Sequence, residues 1–102
     1  ILRNLSSPDP SDATSTTISW ETYDNGTNTT LMFYYGTTDM GNQTSGWDGS
    51  TSFGSTTVGN HSQVVSGLTC CGANYYGRIM ASNEDGSFWF GPINWTTDYL
   101  PD

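Results

Sequence analysis

The sequence predicts an all-β fold, a sandwich of six or seven short strands, and three observations carry that expectation. The hydrophobic pattern alternates with a period of two: Tyr75, Gly77, Ile79 and Ala81 fall on one face of a single stretch, and Tyr76, Arg78, Met80 and Ser82 on the other. Turn signals recur along the chain, among them Asn25-Gly26, Gly59-Asn60 and Asn83-Glu84-Asp85-Gly86. No segment shows the 3.6-residue periodicity of a helix, and Ala, Leu, Glu and Lys, the strong helix formers, are scarce.

In chain order, residues 1–12 hold Ile1, Leu2 and Leu5 ahead of Pro8 and Pro10. They read as a short edge strand that the prolines end, or as an arm that packs on a neighbouring subunit. Residues 13–22 put Ile18 and Trp20 on one face of a strand, and residues 23–30 carry the Asn25-Gly26 turn. Residues 31–37 (LMFYYGT) are apolar on both faces, as a central strand covered on both sides should be. Residues 38–49 form a polar loop with Trp47 embedded in it, and residues 50–58 and 61–68 read as two weaker strands separated by Gly59-Asn60. The Tyr75–Ser82 strand, the Asn83–Gly86 turn and Ser87–Phe90 then make a hairpin whose second strand runs on through Pro92 to Trp95. The tail, residues 98–102, is polar apart from Tyr99 and Leu100.

A chain of 102 residues supports one small domain with one core. Only 33% of it is apolar, but 14% is aromatic, so that core must rest on a few large rings. Ten acids against two bases, Arg3 and Arg78, give a net charge of −8. Phosphate backbones and anionic membranes both require clustered cations, so no nucleic-acid binding is expected. No run is long and apolar enough to cross a bilayer, and no membrane insertion is expected. The chain begins at Ile1 without a basic-then-apolar leader, which reads as a processed mature chain or a fragment.

Several short motifs fall into one frame: Ile18-Ser19-Trp20, Phe33-Tyr34-Tyr35-Gly36, Ser66-Gly67-Leu68, Tyr75-x-Gly77-Arg78-Ile79-x-Ala81-x-Asn83-x-x-Gly86 and Trp95-Thr96-Thr97. Over residues 13–97 the chain resembles a fibronectin type III domain on these motifs. The resemblance implies a seven-stranded antiparallel β-sandwich, fibronectin type III or immunoglobulin-like, flanked by the 1–12 arm and the 98–102 tail. Two departures stand out: Gly77 occupies a position where the family usually has a larger apolar residue, and Leu68-Thr69-Cys70-Cys71-Gly72 replaces a segment in which the family often has proline. For function the resemblance is nearly silent, because such sandwiches host unrelated roles.

Glycosylation is the strongest chemical signal. Asn4, Asn25, Asn28, Asn42, Asn60 and Asn94 each begin an Asn-x-Ser/Thr triplet with no proline in the middle, and only Asn74 and Asn83 lie outside one. Ser and Thr make up 29 of 102 residues, so chance would place about two of the eight asparagines in such triplets. Covalent N-glycans in a secreted, extracellular chain are therefore expected, with no other cofactor. Asn94, late in a strand, is the weakest acceptor of the six, and the Cys70–Asn74 and Asn83–Gly86 turns are the ones left bare.

Cys70 and Cys71 are adjacent, and neighbouring Cα atoms sit about 3.8 Å apart, below the usual disulfide range of about 4.4–6.8 Å. A vicinal disulfide, two free thiols or bonds to another chain remain open, and no Cys/His spacing supports a metal site. Phe88-Trp89-Phe90, Tyr34-Tyr35 and Tyr75-Tyr76 must each split between core and outer face. Outward rings are scattered surface aromatics, packing under glycans, a self-association surface, or platforms for sugar. The interface candidates are Ile1, Leu2, Leu5, Trp47, Trp89 and Trp95. Of these, Trp47, Trp89 and Trp95 would also serve a carbohydrate ligand, and Trp47 has the alternative of folding inward as a cap.

Catalysis has little to stand on. His61, the one histidine, lies inside the Asn60-His61-Ser62 triplet on an expected solvated turn, and Glu84-Asp85 read as turn formers. Asp24, Asp39 and Asp48 lie in loops but form no Asp-x-Asp-x-Asp-Gly calcium loop. The expected function is a non-enzymatic, secreted, heavily N-glycosylated structural protein. Its partners would be copies of itself in an extracellular filament or surface coat, joined by strand addition. The alternatives are an adhesion or receptor ectodomain spacer and a carbohydrate-binding module.

Overall fold

The computed structural model describes residues 2–7, 12–23, 29–84 and 86–99. Seven strands follow one another: β1 (Leu2–Ser6), β2 (Ser15–Thr22), β3 (Thr30–Gly36), β4 (Gly49–Ser55), β5 (Gly59–Ser66), β6 (Asn74–Asn83) and β7 (Gly86–Thr96). All pair antiparallel, in a three-stranded sheet of order β1-β2-β5 and a four-stranded sheet of order β4-β3-β6-β7. The two sheets pack as a sandwich, and the described residues contain no helix. Ile1, Pro8, Pro10, Asp24, the Asn25-Gly26 turn with its triplet, Asn28, Asp85 and Leu100 lie outside the described residues.

Alternation decides which side chains enter the core. In β2, Thr16, Ile18, Trp20 and Thr22 are buried, while Ser15, Thr17, Ser19 and Glu21 face outward; in β6, Tyr75, Gly77, Ile79 and Ala81 are buried. The interior is an aromatic stack. Trp20 of β2 lies 5.1 Å from Phe53 of β4 with ring planes 4° apart, and Phe53 lies 5.3 Å from Phe33 of β3. Phe33 then stacks on Trp95 of β7 at 6.3 Å, and Trp95 on Tyr75 of β6 at 5.6 Å. Each such pair contributes about 0.5–1.5 kcal/mol beyond the area it buries. Gly77 makes room for this stack: a Cβ there would lie 2.5 Å from Cζ of Phe33 and 3.1 Å from Cζ3 of Trp95. The rings fill the volume that a larger residue at position 77 would otherwise occupy.

Two bulges interrupt the four-stranded sheet. Opposite Leu31 and Met32, β4 carries one extra residue, Phe53, which keeps the inward parity of Thr51 and stacks in the core. Between the pairs Gly77↔Ile93 and Ile79↔Phe90, β7 advances three residues while β6 advances two. That extra residue reverses the facing of everything beyond it.

Gly59-Asn60 is not a turn between two paired strands. Both residues belong to β5, and β4 and β5 lie in different sheets, so residues 56–58 cross the sandwich. Thr56 pins that crossing: its N–H donates to Thr29 O at 3.0 Å and its hydroxyl bonds that of Thr22 at 2.8 Å, both sites buried. At the other end, the 67–73 connection is strapped to the segment after β7. Cys71 N–H donates to Asp98 O, Gly72 N–H to Thr97 O, and Thr97 N–H to Ala73 O at 2.9–3.0 Å. The Thr97 hydroxyl donates to Thr69 O at 2.9 Å, and the Tyr75 hydroxyl accepts from Thr69 N–H at 2.8 Å.

β1 forms an edge strand on its own domain. Leu2 pairs with Thr22 and Arg3 with Glu21; the register then slips before Ser6 meets Ser19, with Asn4 at φ 56° in the break. Leu2 is only 6% exposed and Leu5 packs against the same core. On the outer side, Arg3 makes a two-pronged ion pair with Glu21 at 2.9–3.0 Å.

Candidate functional site

The outer face of the four-stranded sheet gathers most of the chemistry. Cross-strand register places Met32 beside Met80, Met80 beside Trp89, and Tyr34 beside Arg78. The 37–48 connection between β3 and β4 folds back over this face. Asp39 accepts from Arg78 Nε and Nη2, both at 2.8 Å, in the fork-to-fork geometry that suits guanidinium and carboxylate. The third guanidinium nitrogen, Nη1, donates to Oδ1 of Asn42 at 2.8 Å. Asp39 Oδ1 also accepts from Gly41 N–H at 3.0 Å. The hydrogen bonds from Arg78, and then the one from Gly41, hold the Asp39 carboxyl down to about 2, and Asp39 raises Arg78 in return.

Trp47 closes the loop. Its indole Nε1 donates to Gln43 O at 2.8 Å, and its ring leans on Tyr34 at 6.5 Å. Tyr34 meets Trp89 on its other side at 5.6 Å. The result is a row, Trp47–Tyr34–Trp89, in which a buried tyrosine lies between two half-buried tryptophans. Gly46 permits the loop's path: φ is +87°, and a Cβ would lie 2.6 Å from Cε of Met40. Trp47 is thus a half-buried cap on the sheet, and Trp89 faces outward, opposite to Phe88 and Phe90.

Trp95 is a correction. Grouped with Trp89 as an interface and sugar-binding candidate, it is 0% exposed in the aromatic stack and presents no surface to a partner. The two residues have the same parity along the chain, but the bulge in β7 lies between them and sends them to opposite faces. Leu2 likewise fills its own core and reaches a neighbour only if β1 leaves the sheet. His61 is also corrected: it lies within β5, half-buried, its ring 5.7 Å from Trp20 and its Nε2 2.6 Å from Thr57 O.

The described triplet asparagines differ in what their amides do. Asn42 has its oxygen on Arg78, while its Nδ2 makes no hydrogen bond among the described residues. Asn4 Nδ2 donates to Glu21 Oε1 at 3.2 Å. Asn4 and Asn60 border a shallow depression of about 340 Å³, lined also by Ser19 and Ser62. Asn94 is exposed, but its Nδ2 donates to Asn74 Oδ1 at 2.7 Å and to Tyr75 O at 2.8 Å, so both N–H bonds are engaged. Cys70 and Cys71 are joined to each other, the first of the three alternatives, with Cys71 exposed at φ +79°.

Asp48 accepts from the Thr37 N–H and hydroxyl at 3.0 and 3.2 Å, and Asp39 is held by Arg78. Among the described residues no three acidic, histidine or cysteine side chains come together as a metal-ligand group. The Arg78–Asp39–Asn42 link is what sequence reasoning missed. Its one signal is that a lone interior cation on an outward strand position needs an acid, and the acid lies 39 residues away. Compared with protein-family models and with curated proteins, the chain matches none of them.

Proposed function

We propose that the chain is a non-enzymatic, secreted, heavily N-glycosylated structural domain of the fibronectin type III kind that assembles with copies of itself into an extracellular filament or coat. Two features support the family part of this reading. The bond from Thr69 N–H to the Tyr75 hydroxyl, at the start of the sixth strand, has the form of the tyrosine corner of immunoglobulin-type sandwiches. The fourth strand joins β3 rather than the β1-β2-β5 sheet, which departs from the constant-type immunoglobulin order and favours the fibronectin alternative.

The observation that carries the assembly reading is β1. It is a five-residue edge strand with a broken register, yet its Leu2 plugs the core. A β1 donated by a neighbour would recreate the same pairs, Leu2 with Thr22 and Arg3 with Glu21, at little cost in contacts. Glycans on Asn4 and Asn60 would keep the outer face of the small sheet in solvent and leave strand exchange as the route to contact.

Negative-stain imaging and sedimentation of the purified glycoprotein, with and without residues 1–7, test this reading. The intact chain should form head-to-tail assemblies and the shortened chain should not. An intact chain that stays monomeric at high concentration would sink the proposal. A second reading, a carbohydrate-binding module, is favoured by the Trp47–Tyr34–Trp89 row. It expects a deglycosylated protein to bind free oligosaccharide and Trp89→Ala to abolish that binding.

A further inference from the structure

We infer that the Trp47–Tyr34–Trp89 row is the seat of the chain's own sugar: the first residue of a glycan on Asn42 packs against the Trp47 indole. The inference rests on the glycosylation reading and adds to it where one glycan goes and what it covers.

Three observations place the sugar there. Arg78, held on two of its nitrogens by Asp39, fixes the direction of the Asn42 carboxamide through Oδ1 at 2.8 Å. Its Nδ2, the atom that is glycosylated, is left with no described partner on an exposed residue. Trp47 bonds the carbonyl of Gln43, the middle residue of the same triplet, at 2.8 Å, so the Nε1–H edge of the indole lies against the backbone one residue from Asn42. Among the described triplets, this is the one to whose backbone an indole is hydrogen-bonded.

The chemistry suits the geometry. An activated glycosyl donor with a phosphate leaving group supplies the sugar: the anomeric C–O bond breaks, C1 bonds to Nδ2, and the amide proton departs with the leaving group. Nδ2 keeps one hydrogen and Oδ1 keeps its lone pairs, so the bond from Arg78 survives modification. The C–H face of a pyranose is apolar with a slight positive edge, and an indole face is negative, so the two attract on contact. At Asn94, by contrast, modification must give up one of two existing hydrogen bonds. The seated sugar would also cover part of the half-buried Trp47 ring.

The test uses the full chain secreted from a glycosylating eukaryotic host, each glycan trimmed to one sugar, with peptide mass spectrometry reporting occupancy at Asn42. In NMR spectra, ring currents should displace the protons of the Asn42-linked sugar upfield relative to those on Asn60. Trp47→Ala should remove the displacement. Thr44→Ala, which prevents glycosylation but leaves Asn42 and its bond to Arg78 in place, should lower the thermal midpoint of a protein that still folds. An occupied Asn42 whose sugar protons resonate like those on Asn60, with no change in midpoint on Thr44→Ala, overturns the inference and leaves the glycosylation reading intact. An Asn42 that is never occupied overturns both at this site. Free oligosaccharide bound by the Thr44→Ala protein, with unshifted protons on the attached sugar, assigns the row to an external carbohydrate and overturns the inference as well.

Discussion

A methyl group at Gly77 would lie 2.5 Å from Cζ and 2.8 Å from Cε1 of Phe33, inside a stack in which no ring can retreat without moving the next. Gly77→Ala is therefore expected to destabilise the domain by about 1–3 kcal/mol in urea unfolding, an overpacking cost rather than a backbone one. Alternation places Gly77 on the inward face of its strand, but the reason for a glycine there lies in rings from β3 and β7 that no local pattern brings together. At Asp39 the effect is electrostatic. Its carboxyl is held at about 2 against an ordinary value of 3.8. A depressed folded-state value means that the pair contributes fully above about pH 4 and that this contribution is lost as pH falls towards 2. Asp39→Asn should cost about 1 kcal/mol at neutral pH, since the pair is partly exposed and screened, and should flatten the acid limb of the stability curve over that window. Stability measured from pH 2 to 7 checks both statements.

At the scale of elements, alternation made the inward sets of β2 and β6 legible, because a half-buried strand obeys a period of two over its whole length. The same rule misplaced Trp95, since one inserted residue in β7 inverts the parity and nothing between Phe90 and Ile93 announces the inversion except Gly91 and Pro92. Gly59-Asn60 read as a break between two strands for a related reason: residues that favour turns also tolerate a strand start, and Thr56, bonded into both neighbouring segments, reveals the crossing. The Cys70-Cys71 pair had three open readings because adjacency forbids an ordinary bridge without choosing among the rest. That disulfide closes the smallest possible loop, so it constrains the unfolded chain very little. The connection that carries it is held by the bonds to Thr97 and Asp98. Replacing both cysteines by serine should accordingly shift the unfolding free energy by less than about 1 kcal/mol.

For the molecule as a whole, a net charge of −8 on 102 residues opposes any contact between copies. Assembly through β1 is therefore expected to strengthen as salt is raised from about 10 mM to 0.5 M, because screening removes the long-range repulsion while the buried Leu2 contact is unaffected. Light scattering against ionic strength reads this directly, and assemblies that dissolve on adding salt would contradict it. The fold class was open to inspection because turn chemistry and alternation are local. The Asp39–Arg78–Asn42 link was not, because it joins a loop to a strand 39 residues further along the chain.

The partition of the tryptophans has an optical consequence. Trp20 and Trp95 are 4% and 0% exposed within the stack, while Trp47 and Trp89 sit half-buried on the opposite side of the four-stranded sheet. Iodide should quench the emission of the outer pair and leave the inner pair dark to it. A Trp47→Phe/Trp89→Phe protein should then emit from the core alone and resist the quencher until it unfolds. The domain carries its own two-channel fluorimeter, one channel reading the interior and the other reading the face.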